Sequence, residues 1–135
     1  MSETKKSKKI LVIDDEADTV VYMETLLQDN GYQTVSASDG QEGLAKAKSE
    51  LPDLVVLDVS MPQKSGMGFY KEFKSNPDLQ AIPVIFVTGV TGFGGDDQGI
   101  KKFIDGRRNI PPPEGFFSKP IDQDEFLKTV NRLLT

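Results

Sequence analysis

Three short and almost purely apolar runs recur along the chain. They are Ile10-Leu11-Val12-Ile13, Leu54-Val55-Val56-Leu57 and residues 82–87. Each is too short for a buried helix and rich in β-branched residues, so each reads as a strand. A strand apolar at consecutive positions must bury both faces, which is the environment inside a parallel sheet. Residues 32–37 alternate well enough to be a further strand, and Phe116-Phe117 marks a short last one.

Between these runs the apolar period lengthens to that of a helix. Val20, Val21, Leu26 and Leu27 share a helical spacing that stops at Asn30-Gly31, two residues tolerant of left-handed backbone. Asp39 with Glu42 has the form of a capping box before Leu44, Ala45 and Ala47, and Pro52 ends that helix. Residues 66–75 read as a helix with Phe69, Tyr70 and Phe73 on one side, closed by Asn76-Pro77. A second capping box, Asp122 with Glu125, opens a last helix whose stripe is Phe126, Leu127, Val130, Leu133 and Leu134.

A repeated β-α order implies right-handed crossovers. The expected fold is therefore α/β, a doubly wound five-stranded parallel sheet with helices on both faces. Residues 1–8 are expected to form a flexible basic tail and residues 9–135 one domain. The stretch 90–115 fits less cleanly. It holds six glycines, Arg107-Arg108 and Pro111-Pro112-Pro113, with a short helix expected over residues 99–105.

Composition narrows the chemistry. The chain has 135 residues, no cysteine and no histidine. Disulfides, thiolate zinc sites, serine–histidine triads and a phosphohistidine on this chain are all excluded. Carboxylates, lysines and hydroxyls remain, and these suit a hard cation such as Mg²⁺. A net charge of −5 argues against a nucleic-acid-binding surface. The lysines at positions 5, 6, 8 and 9 are either a solvated terminus or a contact for an acidic partner. No apolar run approaches the roughly 20 residues of a membrane span, and no signal-peptide core follows the tail, so a cytoplasmic protein without membrane insertion is expected.

Ligands of open parallel sheets bind at the carboxyl ends of the strands. Here strand one ends in Asp14-Asp15, strand three in Asp58 and strand four in Thr88, while strand five runs into Lys119. Taken singly, each is an ordinary strand or helix cap. Together they place three carboxylates, a hydroxyl and an ammonium on one edge. The carboxylates repel unless a cation intervenes, and Mg²⁺ fits because it uses few protein ligands. Aspartate is a competent nucleophile for phosphoryl transfer. A phosphoryl group on Asp58 would have its oxygens neutralised by the metal, the Lys119 ammonium and the Thr88 hydroxyl. Gly89 leaves the site open to a donor.

These pieces resemble the receiver domains of bacterial response regulators, with spacing similar to that of the chemotaxis receiver. The matching motifs are Ile13-Asp14-Asp15-Glu16, Leu57-Asp58-Val59-Ser60-Met61-Pro62, Gly66, Val87-Thr88-Gly89 and Lys119-Pro120. The resemblance spans about residues 8–134. It implies a flavodoxin-like fold with strand order 2-1-3-4-5. It further implies that Asp15, Asp58 and the backbone carbonyl of Ser60 bind Mg²⁺ (Mn²⁺ as an alternative), with Asp14 holding it partly through water. Asp58 would be the phosphoacceptor, Thr88 the switch hydroxyl and Lys119 the phosphate partner. Phe116 occupies the family's aromatic switch position, or is a plain core phenylalanine. Ser60 and Val90 flank the expected path of attacking water.

The implied function is that of a stand-alone receiver in a two-component system or phosphorelay. The donor would be a phosphohistidine on a sensor histidine kinase or histidine phosphotransfer protein, and output would pass to a downstream protein. Such a domain catalyses its own phosphorylation and dephosphorylation and is not a turnover enzyme. The sequence departs from the family between Thr88 and Lys119, which lie about nine residues further apart than expected, a lengthening that costs little loop entropy. That stretch is either a tolerated insertion or a partner-specific surface with Phe103, Arg107 and Arg108 as contacts. A receiver-like binding module that ignores phosphate is the alternative function. An aspartate-nucleophile phosphatase would want an acid where Ser60 stands, and a dinucleotide fold would want a Gly-x-Gly-x-x-Gly motif after strand one.

Overall fold

A computed structural model of the chain describes residues 8–59, 65–89 and 112–135. Its elements run β1 (Lys9–Ile13), α1 (Ala17–Asp29), β2 (Gln33–Ala37), α2 (Gly40–Glu50), β3 (Leu54–Asp58), α3 (Ser65–Ser75), β4 (Val84–Thr88), β5 (Gly115–Ser118) and α4 (Gln123–Leu134). The five strands form one sheet in the order β2-β1-β3-β4-β5, and every pair is parallel. Fold class and strand order are those expected.

Strand alternation sorts the core into two layers. Leu11, Ile13, Val55, Leu57, Val84 and Phe86 face α2 and α3, where Phe69, Tyr70, Phe73 and Ala47 complete the cluster. Ile10, Val12, Leu54, Val56, Ile85 and Val87 point the other way, onto Met23 and Leu27 of α1 and Phe126 and Val130 of α4. All of β3 and β4 is buried. Each such Val, Leu, Ile or Phe contributes about 1.5–3 kcal/mol over its exposed state. Two edge-on ring pairs knit the layers: Tyr70 with Phe86 at 4.7 Å and Phe117 with Phe126 at 5.5 Å.

The N-cap half of each expected capping box forms. Asp39 accepts from the Glu42 backbone N–H at 2.7 Å, and Asp122 accepts from that of Glu125 at 3.2 Å. Glu42 reaches back to the N–H of Ser38 rather than to that of the cap residue itself. Gly31 takes a positive φ of 93° just past α1, as the Asn30-Gly31 stop requires. The helix α2 closes on Leu51, which adopts the left-handed conformation at φ 46° before Pro52. β4 begins at Val84 rather than at residue 82. Pro83 has no N–H to give a ladder. The carbonyls of Gln80 and Ile82 instead accept from the buried Lys74 ammonium at 3.1 and 2.9 Å.

Strand register sets up everything at the far edge. Ile13 lies opposite Leu57, Asp58 opposite Val87, and Thr88 opposite Ser118. The polar residues that end the strands therefore sit side by side.

Candidate functional site

Asp14 is the first residue beyond β1. Its N–H extends the ladder to the Ala37 carbonyl at 3.1 Å, which turns its side chain into the crevice with only 3% exposure. Asp58, the last residue of β3, is equally buried at 3%. Asp15 is exposed beside them. Carboxylate oxygens from all three lie within 4.8 Å of one another.

Lys119 crosses from the end of β5 into this group. Its Nζ donates to Asp14 Oδ2 at 3.1 Å, Glu16 Oε1 at 3.2 Å and Asp58 Oδ2 at 3.4 Å. Its backbone N–H donates to the Thr88 carbonyl at 2.8 Å, so the ammonium is anchored through β4. The Lys119–Pro120 peptide is cis. At Gly89 a Cβ atom would stand 3.3 Å from Lys119 Cδ, so the absent side chain leaves room for the lysine stem.

The electrostatics follow from burial and crowding. Desolvation pushes the Asp14 carboxyl up to about 6; the Asp58 carboxylate adds to this, while the Glu16 N–H (2.9 Å) and Lys119 oppose it. Burial alone would lower Lys119. The surrounding carboxylates of Asp14, Asp58 and Glu16 outweigh that and hold its ammonium above the usual lysine range. The acids still outnumber the ammonium that reaches them. A cluster of carboxylate oxygens with unbalanced negative charge fits a hard, oxygen-preferring cation.

Thr88 is fully buried at the end of β4. It follows Phe86 by two positions, so both side chains lie on one face of the sheet. Phe116 is paired with Phe86 in the ladder, is half-buried, and packs on that same layer. It thus shares a face with Thr88 while also serving the core. The structure brings Asp14, Asp15, Asp58, Thr88 and Lys119 together at one edge, with Phe116 further along β5. Ser60, Val90, Phe103, Arg107 and Arg108 lie outside the described residues, as does the short helix expected over 99–105.

Glu16 was not among the candidates, yet it supplies a third carboxylate to Lys119. The available signal was its place in Asp14-Asp15-Glu16, one residue before a helix. Beside this group opens a cavity of about 680 Å³ lined by Asp15, Glu16, Asp58 and Lys119 together with Tyr22, Met23 and Ile121.

Comparison with known proteins agrees with this architecture. Residues 10–131 match the family model of the response regulator receiver domain. The chain is 31% identical over 126 residues to Protein PilH of Pseudomonas aeruginosa, covering 93% of this chain and 97% of PilH. It is 29% identical over 127 residues to the polar-differentiation response regulator DivK of Brucella anthropi, covering 94% and 96% respectively. Against the probable transcriptional regulator ycf27 of Porphyridium aerugineum it is 41% identical but spans only 43% of that protein's length. Among solved structures, the chemotaxis response regulator CheY4 of Vibrio cholerae superposes with a TM-score of 0.77 at 29% identity, covering 96% of this chain and all of that one. Fold, strand-end residues and family model converge, and the chain belongs to the response regulator receiver domain family of two-component signalling.

Proposed function

We propose that this receiver is a phosphorylation-driven switch that takes a phosphoryl group on Asp58 in the presence of Mg²⁺, or Mn²⁺ in its place. The observation that carries the reading is the convergence of Asp14, Asp15 and Asp58 within 4.8 Å, with Lys119 reaching across to Asp14 and Asp58. The three aspartates and the Ser60 carbonyl would hold the cation, which when bound supplies positive charge to the transferring oxygens. Asp58 then bonds to phosphorus through a carboxylate oxygen as the phosphorus–nitrogen bond of a donor phosphohistidine breaks. The bonding pair stays on the imidazole nitrogen. Lys119 neutralises a second phosphoryl oxygen and the Thr88 hydroxyl donates to a third.

The donor is a sensor histidine kinase or histidine phosphotransfer protein, since this chain has no histidine. The output is a changed protein contact. Thr88 and Phe116 would carry the change, and Phe103, Arg107 and Arg108 would offer a partner surface. Membership of the receiver family supports a protein partner, and a net charge of −5 disfavours a nucleic-acid surface on this chain. We further place it in the cytoplasm, where such donors act; no helix among the described residues is long and apolar enough to cross a membrane. The domain would catalyse its own phosphorylation and dephosphorylation without turning over a substrate.

The test is intact-mass spectrometry after incubation with a small acyl phosphate, with and without Mg²⁺, alongside Asp58→Asn. A metal-dependent phosphoryl adduct lost in the variant is the expected result. No adduct, together with no binding of a beryllofluoride mimic by folded protein, would replace the switch with a phosphate-independent binding module.

A further inference from the structure

At the opposite end of β4 from Thr88, the first ladder rung is made by a side chain. Val84, fully buried, donates its backbone N–H to Glu114 Oε1 at 2.8 Å, and the Glu114 N–H donates to the Val84 carbonyl at 2.9 Å. One residue thus both gives and takes a hydrogen bond with one partner. In an ordinary parallel ladder the Val84 N–H would go to a backbone carbonyl of the neighbouring strand. Here β5 begins only at Gly115, after Pro112 and Pro113, and the Glu114 carboxylate takes that place.

The position matters because β5 is a four-residue edge strand. Short edges with few rungs specify register weakly. Its other end is the Lys119 N–H on the Thr88 carbonyl at 2.8 Å. Between these two ties lie the pairs Ile85–Gly115, Phe86–Phe116, Val87–Phe117 and Thr88–Ser118. A slip at the Glu114 end would carry through all of them and displace the ammonium that meets Asp14 and Asp58. Glu114 is also close enough to the buried Lys74 to oppose the effect of desolvation on that ammonium. Lys74 in turn binds the Gln80 and Ile82 carbonyls, just before β4 begins.

We propose that Glu114 is a positioning residue, a carboxylate clamp that fixes β5 on β4 and thereby sets Lys119 against the acidic site at the far end of the strand pair. The functional half of this inference rests on the phosphoacceptor reading above; the structural half does not.

Two readouts on the whole chain separate them. Amide hydrogen exchange over residues 84–88 and 115–119 reports the clamp whether or not the protein is phosphorylated. Rate of loading from a small acyl phosphate reports its effect on Lys119. Glu114→Ala is expected to exchange faster in both segments and to load about tenfold more slowly, within the roughly hundredfold that a 1 Å misplacement can cost. Its Mg²⁺ affinity, measured by calorimetry, should not fall, since the three aspartates are untouched and lose only a competing cation. Glu114→Gln keeps an acceptor for the Val84 N–H and should restore both rate and protection. Val35→Ala, on β2 at the other sheet edge, removes half-buried core packing far from Glu114 and should load at the wild-type rate. Unchanged exchange in Glu114→Ala would overturn the clamp. Changed exchange with unchanged loading, or equal slowing in Val35→Ala, would overturn its role in positioning Lys119. If the wild-type chain itself does not load, the phosphoacceptor reading fails and exchange alone decides the clamp.

Discussion

Of its three ion pairs, Lys119 makes the shortest with Asp14, at 3.1 Å, and the longest with Asp58, at 3.4 Å. The ammonium therefore divides its hold between two buried carboxylates rather than resting on Asp58 alone. Asp14 is the more awkward member of that pair, a buried carboxylate crowded by Asp58.

Replacing Asp14 by Asn should accordingly stabilise the metal-free protein. Removing a desolvated, like-charge-repelled group is expected to add about 1–2 kcal/mol at pH 7.5, less than its full electrostatic cost because a bond from Lys119 weakens. Mg²⁺ affinity should fall at least about tenfold with the loss of one carboxylate. Urea unfolding in chelator and calorimetric titration with Mg²⁺ measure the two effects. The stability gain should vanish at pH 4, where the native Asp14 carboxyl is already neutral.

The same group gives the wild-type chain a pH signature. Its carboxyl is raised from 3.8 to about 6 on folding. Between those values the native state holds the proton that the unfolded state has released. Stability in chelator should therefore fall as pH rises from 4 to 6, by at most about 3 kcal/mol. Lys119 is raised as well, so its contribution is present throughout this window and is lost only in strong alkali. Mg²⁺ bound at this cluster would compete with the proton for Asp14. Its effect on Tm should be larger at pH 7.5 than at pH 5, by thermal unfolding at fixed ionic strength.

Gly43 on α2 lies against Ile13, the last residue of β1. A Cβ there would stand 2.5 Å from Ile13 Cδ1 and 3.1 Å from Cγ1. Ile13 is fully buried, so its side chain has little room to move. Gly43→Ala should cost about 1–3 kcal/mol in overpacking, outweighing the roughly 1 kcal/mol that alanine gains in a helix. Ile13→Val removes the clashing methyl. The double variant should be more stable than the sum of the single losses implies, by at least about 0.5 kcal/mol.

Leu51 closes α2 at φ 46° with 59% of its surface exposed. A leucine in the left-handed region is disfavoured by about 1–2 kcal/mol, and little burial is at stake. Leu51→Gly should raise stability by about 0.5–1 kcal/mol, or Tm by about 3 °C, after the larger entropy of an unfolded glycine is subtracted. Differential scanning calorimetry would register it.

The sheet was legible because its signal is local and repeated. Ile10 to Ile13, Leu54 to Leu57 and the run before Thr88 declare buried strands by composition alone, and strand ends in parallel sheets share one edge. What sequence could not give were contacts between residues far apart in the chain that obey no period. Glu16 reaching Lys119 needs β1 and β5 brought across β3 and β4. Lys74 turning inward onto two carbonyls is invisible in a helix where lysine ordinarily means solvent. The end of α2 read as a proline stop, yet Leu51 makes the turn before Pro52 can matter. Phe116 kept both its readings, since one ring packs into the core and faces the side of the sheet that carries Thr88.

Because Asp58 and Thr88 are each the final rung of a strand whose every residue is buried, the core acts as an error filter for the chemistry. A one-residue slip of β3 or β4 would swap the two apolar layers and point the acid or the hydroxyl away from its neighbours in the same stroke. Such a chain loses its interior before it can present a scrambled acidic cluster. Quality control that senses only exposed apolar surface would then also remove the molecules whose site is miswired.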